Sequence, residues 1–209
     1  MTGPLILHIE TATDICSVAL SEGNRQLSLV ESGQERSHAT LLNRFIRQSA
    51  EEAGKKLKDL DAVAVSKGPG SYTGLRIGVS TAKGLAYALE IPLLSTSTLK
   101  IMAGNALSVE PINELVNLHG DRLLLCPMLD ARRMEVYTGF FNKDISTYRE
   151  VSADVVDRDS YRQILESHPV CFFGNGGSRA HSPAPYSAAK AMILSAKWSL
   201  PFAIIWVEG

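Results

Sequence analysis

The stretch SKGPGSYTGLRIGVSTAKGLA, residues 66–86, decides the fold, because a glycine-rich turn leads directly into a helix of small residues. Two phosphate-binding motifs begin in this way, and neither fits. Counted from Gly68, a P-loop would need its second glycine at Thr73 and its lysine at Gly74. The dinucleotide motif would also need a glycine at Thr73. We therefore interpret the stretch as a strand-to-helix turn in which glycines provide positive φ angles.

The helix that follows the turn carries small residues on one face. They recur at every fourth position, at Gly74, Gly78, Ala82 and Ala86. Glycine inside a helix costs about 1 kcal/mol relative to alanine, so two glycines on one face need a packing reason. The spacing predicts a close neighbour, but it does not tell whether that neighbour is the protein's own sheet or another subunit.

The surrounding sequence predicts an α/β lobe. Alternating and apolar runs predict strands at residues 4–10, 15–20, 25–31, 61–66 and 92–95. An amphipathic helix follows the third strand, capped by Ser37 and ending near Gly54, and the small-residue helix spans residues 74–90. The order is therefore βββαβαβ.

The same pattern starts again in the second half of the chain. Strands are predicted at residues 122–129, 134–141 and 146–153, followed by a helix at 157–167 and a strand at 169–173. The stretch from 111 to 121 is taken as polar connecting chain. This repetition favours two lobes, at residues 1–108 and 109–209, while two unrelated α/β halves remain the alternative.

Composition excludes several classes of protein. The 209 residues have a formal net charge of −1, which removes the bulk attraction that independent nucleic-acid binders use. The three cysteines are far apart, which argues against a disulfide framework and a zinc site, and the five histidines form no metal-binding pair. We expect no signal peptide, no membrane span, no metal and a cytoplasmic location.

Two hairpin turns carry polar side chains that could contact a phosphate or a magnesium ion. The first turn contains Glu10, Thr11 and Thr13 in HIETATDICSVAL, and the second contains Asp130 in DARRMEVY. Threonine and aspartate are also ordinary hairpin residues. These four residues are the candidates for binding a nucleotide, and the sequence shows no catalytic nucleophile motif.

The turn-and-helix stretch extended to Leu99, together with HIETATDICSVAL, RSHATLL and DARRMEVY, resembles the TsaB (YeaZ) family of bacteria over most of residues 4–177. The resemblance implies an actin-like ATPase (ASKHA) fold of two ribonuclease H-like lobes. It further implies a subunit, itself non-catalytic, that binds TsaD, together with TsaE, for threonylcarbamoyl transfer to the adenosine beside the tRNA anticodon. The tRNA would be contacted only through the complex.

The resemblance also implies which positions lack the metal ligands of related enzymes and which residues form a partner interface. TsaD-like enzymes carry a metal-binding His-x-x-x-His pair that we place at Thr98 and Met102 of this chain, so no metal chemistry is expected here. No cofactor is required by the chain, although ATP or ADP could bind at the complex. The two helices, at about 37–54 and 74–90, resemble the surface used for the TsaD heterodimer and for a competing homodimer. The expected interface comprises His38, Leu41, Leu42, Phe45, Gly74, Leu75, Gly78, Val79 and Ala82.

Two enzyme functions of the same fold remain as alternatives. They are a metal-dependent, glycoprotease-like peptidase and a nucleotide-binding ATPase. The tail from about residue 178 departs from the family and lacks a clear period. A truncated or frame-shifted end and an unusual natural terminus both explain it, and if the closing elements are missing, the second lobe is incomplete at its C-terminus.

Overall fold

The computed structural model describes residues 3–32, 38–132, 135–157 and 159–176, and the backbone of two strands at 193–195 and 203–207. The chain divides into two compact units, Met1–Thr98 and Leu99–Gly209. The predicted helix cap at Ser37 and most of the tail after residue 176 lie outside the described residues.

The first unit is built on a five-stranded sheet. Its strands are β1 (Leu5–Glu10), β2 (Ser17–Glu22), β3 (Arg25–Glu31), β4 (Ala62–Ser66) and β5 (Leu93–Thr96). They lie side by side in the order β3-β2-β1-β4-β5. The β1–β2 and β2–β3 pairs are antiparallel, whereas β1–β4 and β4–β5 are parallel. This arrangement is a ribonuclease H-like lobe, and the predicted βββαβαβ order is confirmed.

Two long helices cover one face of this sheet, α1 (His38–Glu52) and α2 (Tyr72–Leu89), and a 3₁₀ turn at Leu57–Asp59 precedes β4. Leu5, Leu7 and Ile9 alternate inward from β1 into a core shared with both helices. Their alternation is that of a strand with one buried face. Because α1 and α2 contact each other above the same core, their exposed sides form a continuous outer surface.

The small-residue face of α2 packs on the unit's own turn after β1. A Cβ atom on Gly74 would overlap the carbonyl oxygen of Thr11, and one on Gly78 would overlap the Thr11 hydroxyl. Ala82 and Ala86 continue the buried face towards the sheet. The close neighbour predicted from the spacing is therefore intramolecular.

The second unit contains a six-stranded sheet. Its helices are α3 (Thr98–Ala106), which starts at the last residue of the first unit, α4 (Glu110–His119) and the short α5 (Arg162–Leu165). Its strands are β6 (Leu124–Arg132), β7 (Glu135–Phe141), β8 (Thr147–Val155), β9 (Val170–Gly174), β10 (Ile193–Ser195) and β11 (Ala203–Val207). A 3₁₀ turn at Gly120–Arg122 precedes β6.

The strand order of this sheet is β10-β11-β9-β6-β7-β8. The strands β8, β7, β6 and β9 repeat the β3-β2-β1-β4 arrangement of the first unit, including the parallel pair β6–β9. The position of a parallel fifth strand is taken by β11, which runs antiparallel to β9.

Two details differ from the sequence prediction. The polar stretch at 111–121 forms most of helix α4, which buries Ile112 and has a proline in its first turn. The prediction was wrong there because the many polar residues hid a narrow apolar stripe. In addition, Leu99, Ala103 and Ala106 of α3 pack in the second core, so the structural division falls after Thr98, at the start of α3, whereas the boundary predicted from the sequence is at residue 108.

We expect Gly78→Ala to lower the free energy of unfolding by about 1–3 kcal/mol, because the added methyl group overlaps the buried Thr11 side chain. The matched control is Gly84→Ala on the exposed side of the same helix, where a Cβ would meet no atom within 4 Å. That change should raise stability by about 0.5–1 kcal/mol through helix propensity. Urea denaturation of both variants measures the difference, and equal effects would contradict the proposed packing.

Candidate functional site

The carboxylate of Glu10 is held at the end of β1 by its own neighbourhood. Its Oε1 atom accepts hydrogen bonds from the Ala12 N–H at 2.6 Å and from the Ser66 hydroxyl at 2.8 Å. Burial raises the pKa of Glu10 above its ordinary value of 4.5, although these hydrogen bonds act in the opposite direction. Glu10 therefore ties the end of β1 to the end of β4.

Buried hydroxyl groups surround the loop after β4. The hydroxyls of Thr11, Ser97 and Thr98 find no hydrogen-bond partner among the described residues. Thr11 packs on α2, and the Thr98 N–H donates to the Gly68 carbonyl oxygen at 2.9 Å. Buried polar atoms are normally paired, so unpaired ones in this place indicate that a ligand could supply the missing partner.

This polar cluster lies where ligands commonly bind in α/β sheets. It follows the carboxyl ends of β1, β4 and β5, which are neighbouring parallel strands. Glu10, Thr11 and Thr13 were predicted from the sequence, whereas Ser66, Ser97 and Thr98 were not. Ser66 ends one predicted buried strand, and Ser97 and Thr98 come soon after the next. Polar residues at the carboxyl ends of parallel strands could have been recognised from the sequence for this reason.

His38, half-buried at the start of α1, contacts this cluster. Its Nε2 donates to the Thr13 carbonyl oxygen at 2.9 Å. The Thr13 hydroxyl accepts from the Ile15 N–H at 3.3 Å. The interface residue expected at position 38 therefore fixes the turn after β1 to the start of α1.

Asp130 lies in the second unit, whereas Glu10, Thr11 and Thr13 lie in the first. It is in the last part of β6, where its N–H donates to Asn175 Oδ1 at 3.1 Å. Its Oδ1 accepts from the Arg132 N–H at 2.9 Å. Asp130 thus shapes the end of its own strand.

Most of the residues expected at a partner interface are buried within the first unit. Leu41, Leu42 and Phe45 point from α1 into the core, and Gly74, Gly78 and Ala82 line the inner side of α2. Val79 packs partly on the same core, and the half-buried Leu75 lies beside Gly68. The buried residues shape the two helices, whereas half-buried Leu75 and Val79 remain partly accessible to a partner, and the expected interface stays a prediction.

The exposed side of the two helices carries arginine and aromatic side chains, and α1 also exposes two glutamates at its end. Arg44 and Arg47 are exposed on α1, and Tyr72 and Arg76 are exposed at the start of α2. We call these four residues the basic helix surface. Tyr72 is 75% exposed and lies under the Arg76 guanidinium, 5.6 Å from its ring centre. Such a surface suits an acidic partner.

Within the described ranges, no group of three or more histidine, cysteine, aspartate or glutamate side chains could hold a metal ion. Met102, one of the two positions matched to the histidine pair, packs against the second hydrophobic core. Thr98, the other, is buried at the start of α3. In the same part of the chain, no helix is both long and apolar enough to cross a membrane.

Comparison with known proteins gives concordant results. Residues 29–169 match the family model described as "TsaD: tRNA N6-adenosine threonylcarbamoyltransferase". The tRNA threonylcarbamoyladenosine biosynthesis protein TsaB of Bacillus subtilis is 31% identical over 83% of this chain and 72% of its own length. The protein of the same name from Escherichia coli is 34% identical over 66% of this chain, which spans 55% of that relative.

Solved structures agree with these relatives. A Pseudomonas aeruginosa structure described as YeaZ is 31% identical and superposes with a TM-score of 0.59, over 75% of this chain and 68% of that one. Another, described as an uncharacterized protein with similarity to peptidase YEAZ, gives 32% identity and a TM-score of 0.61 over the same shares.

The buried carboxyl of Glu10 makes a testable contribution to the pH dependence of stability. Because its pKa is raised in the folded state, the folded protein binds this proton more tightly than the unfolded chain. The free energy of unfolding of the wild type, minus that of Glu10→Gln, should therefore increase as the pH is lowered from above the raised pKa to about 4.5. Urea denaturation from neutral pH downwards measures both proteins, and parallel curves would contradict the raised pKa.

Proposed function

This chain belongs to the TsaB family of tRNA threonylcarbamoyladenosine biosynthesis proteins, and we propose that it is a non-catalytic subunit of the modifying complex. In this proposal it binds a TsaD-type transferase, acts together with TsaE, and supports threonylcarbamoyl transfer to the adenosine beside the tRNA anticodon. The complex contacts the tRNA, and this chain does so only through it. The cytoplasm, where tRNA is modified, is the proposed location.

The observation that carries the proposal is the outer side of the helix pair. Helix α2 has 18 residues and contains two charged side chains, Arg76 and Lys83, which are both cationic and exposed. Exposed aromatic and arginine side chains are the residue types that contribute most to binding energy at protein interfaces. With its inner face already packed on the sheet, α2 can offer this outer side to a partner while the lobe stays folded.

The chemistry of the matched metal positions supports a non-catalytic role. A thioether packed in a hydrophobic core and a buried threonine hydroxyl do not replace two imidazoles as ligands of a transition metal. Glu10 also supports a non-catalytic role, because its carboxylate accepts hydrogen bonds from the Ala12 N–H and the Ser66 hydroxyl of its own chain.

A second function, nucleotide binding without turnover, is favoured by the buried hydroxyls of Thr11, Ser97 and Thr98. Hydroxyl donors at the carboxyl ends of parallel strands suit phosphate or ribose oxygens. Isothermal titration calorimetry with ATP and with ADP tests this function, with Thr11→Val as the matched variant. Heats that are absent for the wild type, or equal in the two proteins, would count against it.

The proposed subunit role is tested by co-purification with the TsaD-type transferase and TsaE of the same organism, followed by tRNA modification with and without this chain. We expect modification to need the chain. We also expect Arg76→Glu to weaken binding of the transferase about tenfold or more, because it reverses a charge in the basic helix surface. Lys58→Glu, an equal charge reversal at an exposed position outside both helices, should bind normally.

Three results would contradict the role. One is full modification in the absence of the chain, and another is equal binding by the two charge variants. The third is metal-dependent peptide cleavage by the purified chain, which would instead support the peptidase alternative.

A further inference from the structure

The outer edge of the first sheet is an exposed strand. All four residues of β5 are exposed, including the large apolar side chains of Leu93 and Leu94. Among the described strands, β4 is the neighbour of β5 on one side, and the other side carries no strand. Edge strands are normally protected by charge, proline or a covering element, so an open apolar edge indicates a binding surface.

Two residues of β5 offer their backbone groups to a binding partner. The Thr96 carbonyl oxygen accepts from the Lys67 N–H at 2.9 Å, so it points towards β4. The Pro92 carbonyl oxygen, four residues earlier, also accepts from β4, at 3.0 Å. Since backbone groups alternate along a strand, the N–H and C=O groups of Leu93 and Ser95 point away from the sheet.

A cavity of about 570 Å³ lies beside this edge, between the end of α2 and β5. Its walls include Tyr87, which is 88% exposed, and the apolar side chains of Ile91 and Leu93. Lys83 and Glu90 also line it, and no ion pair between described residues involves either of them. We call β5 and this cavity the β5 groove.

We propose that the β5 groove binds an extended segment of a different protein, which adds to the first sheet as a sixth strand. A polypeptide in the extended conformation presents N–H and C=O groups at the spacing that the outward groups of Leu93 and Ser95 require. The segment runs antiparallel to β5, the direction with the more stable hydrogen bonds, and exchanges two bonds with each of these residues. The basic helix surface stays free, so this proposal does not rest on the proposed function.

The size of the β5 groove favours a single segment over a folded surface. The strand has four residues, and the cavity beside it is lined by few more. A stable interface between two folded proteins uses roughly 20–30 residues on each side. A linear segment needs fewer contacts on its partner, because backbone hydrogen bonds provide affinity and alternate side chains provide specificity.

The charges of the groove lie beside opposite ends of β5. Strands β4 and β5 are parallel, so the helix α2 that connects them runs in the opposite direction. Glu90 therefore lies near the start of β5, and Lys83 lies two helical turns, about 10 Å, closer to its end. Leu93 is paired with Val63 of the helix-covered core, so the side chains of Leu93 and Ser95 face α2.

These positions determine which side chains the segment carries. Its residue opposite Ser95 lies beside Lys83 and is acidic. The residue two positions later lies opposite Leu93, packs against Tyr87 and is apolar. The residue after two more positions lies beside Glu90 and is basic. The two charged residues are about 13 Å apart along the segment, which long side chains match to the spacing on α2. The segment thus has the pattern acidic-x-apolar-x-basic.

Fluorescence anisotropy with labelled peptides and the full chain tests the proposal. A peptide with the core Glu-Thr-Val-Thr-Lys should bind saturably, and one with the core Lys-Thr-Val-Thr-Glu should bind about tenfold or more weakly, because its charges oppose those of the groove. The double variant Lys83→Glu, Glu90→Lys should reverse this preference. Arg76→Glu, a charge reversal on the same helix outside the groove, should leave it unchanged.

Methylation of the peptide backbone tests the strand pairing without any change in the protein. A methyl group on the valine nitrogen removes an N–H that bonds to Leu93, and it should weaken binding about tenfold or more. The same group on either threonine nitrogen removes an N–H that points to solvent, and the peptide should still bind.

On the protein side, Ser95→Pro removes an outward N–H and should weaken binding of the first peptide, whereas Ser95→Thr keeps the N–H and should bind it normally. Circular dichroism confirms that both variants are folded. No saturable binding, equal binding of the two charge patterns, or equal effects of methylation at valine and threonine would each overturn the proposal. A dimer of this chain that Ser95→Pro dissociates would instead assign the groove to a second copy, and would overturn it too.

Discussion

The first unit depends on the close approach of α2 to the turn after β1. Gly70, Gly74 and Gly78 provide the space, because a Cβ atom at any of them would overlap Thr11 or Ala12. The Ser71 N–H donates to the Ala12 carbonyl oxygen at 2.6 Å, and the Ser71 hydroxyl caps α2 by accepting from the Gly74 N–H. This contact places the loop after β4 against Glu10, and the polar cluster exists because of it.

Local patterns predicted most of this unit. The alternation in β1 and the apolar stripe of α1 were visible because they repeat every two residues and every three to four. Spacing could identify the small-residue face of α2 but not its neighbour, since the same flat face suits a sheet or a subunit. Helix α4 was missed because polar residues outnumber the apolar ones that it buries.

The candidate site was predicted only where it is local in sequence. Glu10 and Thr11 lie in one hairpin turn, so the sequence placed them together. Ser66 bonds to Glu10 across 56 positions, and the sequence alone did not reveal that contact. His38 was assigned to a partner interface by the resemblance, whereas its ring hydrogen-bonds to Thr13 of its own chain. The Ser66–Glu10 bond follows from the register of β1 and β4, and the His38–Thr13 bond follows from the way α1 returns to the turn after β1. Local sequence patterns reveal neither contact.

The two faces of α2 also differ in how freely they can change during evolution. Only glycine and alanine fit at its inner positions, because the turn after β1 lies so close. Larger residues there would therefore lower the stability of the whole lobe. Its outer positions contact solvent, and residues such as Arg76 and Lys83 can be exchanged at little cost to stability. The inner face of the helix can therefore preserve the fold of the lobe while substitutions on the outer face change which partner it binds. In this way a duplicated lobe can acquire a new partner without a new fold.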